Sequence, residues 1–100
     1  MNTQNPLRLE EVDWKLLLTI LEQYEGSFYA YGSRVKRTHT PFSDIDLCVV
    51  GEVDIPSLHD ELSESNLPVK VDLKKREDLS QDFFTLIKKD LILIKGPECL

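Results

Sequence analysis

One hundred residues with 41% hydrophobic content make a single small domain with a modest core, with no room for a second. A net charge of −6 argues against a broad nucleic-acid-binding face, which needs clustered Lys and Arg. Two cysteines, Cys48 and Cys99, give no disulfide framework and imply a reduced, cytoplasmic setting. Met1–Leu7 is polar, so no signal peptide is expected, and no apolar run approaches the ~20 residues needed to span a membrane.

In chain order, residues 1–7 read as a loose lead and residues 97–100 as a loose tail. From about Leu9 to Tyr24 apolar residues recur at helical spacing. Val12, Leu16 and Ile20 lie on one register, with Trp14, Leu17, Leu18 and Leu21 on the next. Gly26 stands at the stop position. Ser27–Tyr31 reads as a strand with Tyr29 and Tyr31 on one face. Gly32-Ser33 then turns into a short helix over Arg34–Arg37, with Ser33 as its N-cap. Asp44–Val50 is the second strand. Asp54 and Pro56 open a helix to Glu64 that turns Leu58 and Leu62 inward and leaves His59 on its flank. In the third strand, Val69–Leu73, Val69, Val71 and Leu73 face one side, and Lys70, Asp72 and the following Lys74 face the other. A helix over Gln81–Lys89 buries Phe83, Phe84, Leu86 and Ile87. Leu91–Lys95 forms a last strand, stopped by Gly96-Pro97. The alternation predicts a small α/β (α+β) fold, a mixed sheet with helices packed on one face.

The chemistry concentrates between Phe28 and Val50. Residues two apart in a strand point the same way, roughly 6.5–7 Å apart. Asp44 and Asp46 therefore share a face, while Ile45, Leu47 and Val49 seek the core. Two converging carboxylates suit a hard divalent cation such as Mg²⁺, which takes oxygen ligands and keeps positions open for water and phosphate. Upstream, Gly32 adds no side chain, so the Gly32-Ser33 backbone can approach a phosphate closely. Together these features describe a nucleoside-triphosphate and metal site. His-Glu-x-x-His and Cys-x-x-Cys are both absent, so no zinc cluster competes.

Gly-Ser, ten residues, then Asp-x-Asp resembles the nucleotidyltransferase signature of the DNA polymerase β superfamily. In a chain this short it is similar to the MNT group, the minimal nucleotidyltransferases encoded beside HEPN-domain toxins. The likeness runs from about Gly26 to Gly96 and rests on Gly32, Ser33, Asp44 and Asp46. It implies the minimal nucleotidyltransferase fold and a third carboxylate at Asp72. By itself an acid between two lysines on a strand face is a weak ion pair; beside the signature, Asp72 is expected to converge on Asp44 and Asp46. Arg34 lies inside the signature among Lys36, Arg37 and His39 and is expected at the nucleotide with Gly32 and Ser33.

The resemblance implies two Mg²⁺ ions on Asp44, Asp46 and Asp72, with ATP as substrate. It further implies transfer of AMP to a hydroxyl, a tyrosine, of a partner HEPN toxin, in a type VII-like toxin–antitoxin pair. The expected partners are that toxin, as a hetero-oligomer, and ATP, with no direct nucleic-acid or membrane contact. Two alternatives stand beside it: a non-catalytic module that masks the toxin, and a small-molecule nucleotidyltransferase. Larger relatives that modify aminoglycosides carry a helical C-terminal domain not seen in this sequence, so that substrate ranks lower.

Overall fold

The computed structural model describes residues 5–100. The elements run α1 (Glu11–Leu21), β1 (Ser27–Tyr31), α2 (Ser33–Lys36), β2 (Ile45–Val50), α3 (Ile55–Glu64), β3 (Val71–Lys75), a 3₁₀ turn (Arg76–Asp78), α4 (Gln81–Lys88) and β4 (Ile92–Lys95). They form one four-stranded sheet in the order β3-β2-β1-β4. β1 is antiparallel to both β2 and β4, while β2 and β3 run parallel. Parallel neighbours cannot be joined by a tight turn, and α3 supplies the crossover. It starts where Asp54 caps Ser57 N–H at 3.2 Å and Pro56 stands in the first turn.

Strand alternation divides the core in two. Phe28 and Ala30 of β1, Ile45, Leu47 and Val49 of β2, and Val71 of β3 are buried against α1 and α3. Trp14, Leu17, Ile20 and Leu21 of α1 and Leu58 and Leu62 of α3 complete that layer. On the reverse face Tyr29, Tyr31 and Cys48 pack with Ile87 of α4. The mixed sheet and the α1/α3 layer are as expected; α4 departs from a single helical layer, because Ile87 follows the tyrosines.

Several local expectations are corrected. Leu7, placed in the loose lead, is fully buried in the main core, and Asn5 bonds through its side chain to both Leu9 backbone groups. The rest of that lead, residues 1–4, lies outside the described residues. Gly32, not Ser33, occupies the N-cap of α2. Val12 and Leu86, expected inward, are 73% and 67% exposed. Leu86 turns out because Phe84 and Ile87 already fill the inward stripe of α4. The tail expected to be loose is tied down: Cys99 N–H and Leu100 N–H donate to Tyr29 Oη at 2.8 and 3.2 Å, and Ser27 Oγ donates to Pro97 O.

Candidate active site

β1 delivers Tyr31 and then Gly32 to the rim of the sheet. Gly32 has φ +90°, a conformation that disfavours side chains. A Cβ at this position would collide with Asp46 Oδ2 and stand 3.2 Å from Asp46 Cγ. The Gly32 turn and the Asp46 carboxylate are therefore in direct apposition.

Register extends that pair into a row. Tyr31 is opposite Asp46 across β1–β2, and Asp46 is opposite Asp72 across β2–β3. Cross-strand partners share a face, so Tyr31, Asp46 and Asp72 lie side by side on three strands, away from the α1/α3 core. Asp44 stands exposed just ahead of β2 rather than within it. Asp46 is half-buried, and its carboxyl is pushed up from the ordinary carboxylate range. Burial is the main cause; Asp72 and then Asp44 add repulsion, and Lys74 opposes them. The Tyr31 hydroxyl is raised well beyond the usual phenol range by burial first, then by Asp46 and Asp72. Its ring meets Phe83 edge-on at 6.1 Å and 78°.

The row is a set of hard oxygen donors in which each carboxylate raises its neighbour's demand for a cation, and such a set fits a divalent ion. Among the described residues, no three acidic, imidazole or thiol groups are already gathered tightly enough to hold a metal. Asp72 instead gives Oδ2 to Lys74 Nζ at 3.0 Å.

Arg34 is placed differently from the expectation of a nucleotide contact. It is 4% exposed, and its guanidinium donates to Ser43 O from Nε at 3.0 Å, to Leu7 O at 3.1 Å and to Pro41 O at 3.2 Å. It clamps the loop that leads into Asp44 onto the leading segment. Lys36 pairs with Asp90 at 3.8 Å, and Arg37 closes α2 with φ +66°. Ser33, half-buried, opens α2 directly after Gly32.

Two members of the neighbourhood escape a reading of the motif alone: Tyr31 and Lys74. Both carry a signal, since Tyr31 alternates with Tyr29 into Gly32, and Lys74 lies two residues beyond Asp72 on its face. A cavity of about 480 Å³ lies between the start of α3 and the end of β3, lined by Val53, Ile55, Leu73, Lys74, Lys75 and Leu79 among others. It contains no member of the row and meets this neighbourhood only at Lys74.

The tight turn at Gly32 thus stands against an acidic pair on adjacent parallel strands of a mixed sheet. The model of the nucleotidyltransferase domain family matches residues 14–95. The chain is 32% identical over 99 residues to the Haemophilus influenzae protein named "Probable protein adenylyltransferase MntA", covering 92% of this chain and 87% of that protein. A crystal structure of a toxin–antitoxin with AMP-PNP matches 85% of this chain and 74% of its own with a TM-score of 0.66 at 21% identity. A second crystal structure, of a protein from Shewanella oneidensis, matches 89% of this chain and 74% of its own with a TM-score of 0.57 at 20% identity. These two likenesses bear on the fold. The chain belongs to the nucleotidyltransferase domain family, as an MNT-type minimal nucleotidyltransferase. Members of this family use a nucleoside triphosphate and a divalent metal ion. Among the described residues no helix is long and apolar enough to cross a membrane.

Proposed function

We propose that this chain transfers AMP from ATP to a hydroxyl, a tyrosine, of a partner HEPN toxin, and so acts as the antitoxin of a toxin–antitoxin pair. The observation that carries the reading is the apposition of Gly32 and Asp46 in register with Asp72. The relative named as a protein adenylyltransferase supports AMP as the group and a protein as the acceptor.

In this reading Asp44 and Asp46 would hold a Mg²⁺ for the triphosphate, and Asp72 would supply the further oxygen ligand for a second beside the acceptor. Bound divalent cations supply the positive charge that stabilises the entering and leaving oxygens of an in-line displacement. Gly32 and Ser33 present backbone N–H groups to the β and γ phosphates. The acceptor oxygen forms a bond to the α-phosphorus, the bridge to the β-phosphate breaks, and pyrophosphate leaves. Asp72 takes the proton of the acceptor hydroxyl. Arg34 holds Asp44 in place by fixing the 41–43 loop, and it need not touch the nucleotide. The partner contributes the acceptor surface as a hetero-oligomer in the cytoplasm, without nucleic acid or membrane.

Incubation with a HEPN partner, labelled ATP and Mg²⁺ tests this by mass spectrometry. A gain of one or more AMP units on a partner tyrosine, lost in Asp46→Asn, is the expected result. Neutralisation that survives Asp46→Asn without labelling leaves a masking module, and label on a small molecule with no partner protein leaves the other alternative.

A further inference from the structure

We propose that Lys74 is the resident counter-ion of the carboxylate row, holding Asp72 in the place of the acceptor-side divalent cation, which binds only by displacing it. The inference rests on the metal-ligand reading of Asp44, Asp46 and Asp72 given above. Lys74 and Asp72 are two apart on β3, so both rise from the same face. The ammonium turns back along the strand to Asp72 Oδ2 at 3.0 Å. Among the described residues, no other ion pair includes a member of the row.

The arrangement has a purpose that packing does not require. Asp46 and Asp72 stand side by side on adjacent strands with Asp44 just ahead of β2, and a single positive charge beside them offsets their mutual repulsion before any metal arrives. The pair is 43% and 38% exposed, so it is weak enough to be exchanged for a doubly charged ion. Lys74 has somewhere to go, since it also lines the cavity of about 480 Å³ beside the row. Lys74 is thus a positioning residue that acts through Asp72. It makes occupation of the acceptor-side position conditional on metal concentration, whereas among the described residues no ion pair engages Asp44 or Asp46 directly.

Mn²⁺ binding to the full chain, read by electron paramagnetic resonance of the free ion without nucleotide, tests the exchange. Lys74→Gln and Lys74→Ala are expected to tighten the weaker of two binding steps by about two- to fivefold, the range of a half-exposed ion pair. Lys74→Arg, which keeps the charge, is expected to bind as wild type. Unchanged or weaker binding in Lys74→Gln and Lys74→Ala overturns the proposal, as does Lys74→Arg behaving like Lys74→Gln. Asp46→Asn separates the two levels: Mn²⁺ binding that persists undiminished in this variant overturns the metal-ligand reading itself, whatever Lys74 does.

Discussion

Asp46 Oδ2 fills the space that a side chain at Gly32 would need. Replacing Gly32 by Ala puts a Cβ into a backbone conformation (φ +90°, ψ −162°) costing about 1–3 kcal/mol and drives the carboxylate aside. The domain is expected to fold with a lowered melting temperature, while transfer falls by ~10²-fold, the usual cost of a displacement of about 1 Å at a reacting centre. Thermal melts and AMP-labelling rates of Gly32→Ala check both halves.

Asp72 is in register with Asp46 on the parallel strand β3. In the proposed mechanism Asp72→Asn removes a negative ligand and the proton acceptor without changing shape. ATP binding by calorimetry is expected to persist while labelling drops by ~10²-fold or more. Labelling at the wild-type rate would remove Asp72 from the mechanism.

Arg34 and the nucleotide can be separated by one substitution. Arg34→Met keeps the side-chain length but leaves the carbonyls of Leu7, Pro41 and Ser43 without their donor. A loss of about 3 kcal/mol in urea unfolding is expected, from buried acceptors left unpaired. An Arg34→Met chain with wild-type stability and weakened ATP binding would instead make Arg34 a phosphate ligand.

Tyr31 packs its ring on Phe83 and lies beside Asp46 and Asp72. Tyr31→Phe keeps the ring, and stability is expected to hold within about 1 kcal/mol of wild type. Tyr31→Ala opens a cavity under α4 and is expected to cost about 3–5 kcal/mol. Equal losses in the two variants would show that the hydroxyl, not the ring, matters to the fold.

Cys48 is fully buried and its thiol is pushed up, chiefly by burial, whereas Cys99 is exposed. A raised folded value means that the neutral thiol contributes stability fully present below the ordinary thiol range. That contribution is lost as pH climbs through the folded value. At pH 7 iodoacetamide is expected to alkylate Cys99 and spare Cys48 until denaturant is added. Equal alkylation of both in the native state would contradict the burial.

The sheet and its acidic face are legible in the sequence because alternation carries them. Ile45, Leu47 and Val49 fix which way Asp46 points, and Val71 and Leu73 do the same for Asp72. The strand limits drift by one or two residues, since Asp44 satisfies the pattern but stands outside the ladder. Leu7 is illegible because one leucine beside a proline carries no period. Leu86 is misread because four large apolar residues within five positions of α4 exceed what one inward stripe can hold. The buried setting of Arg34 is illegible for a different reason: its partners are backbone carbonyls, which every residue has and no side-chain pattern announces. Lys74 is visible in the alternation, but its pairing with Asp72 depends on a rotamer that spacing does not specify.

Joining β2 to β3 in parallel has a consequence for when activity can arise during synthesis. A hairpin could set two acids side by side as soon as both leave the ribosome, but a parallel pair must wait for its crossover to dock. Asp46 therefore stands without Asp72 until α3 has seated Leu58 and Leu62 on the sheet. In the proposed role, a nascent or nicked chain lacking that docked strand would hold nucleotide without spending it, so turnover itself certifies a finished molecule.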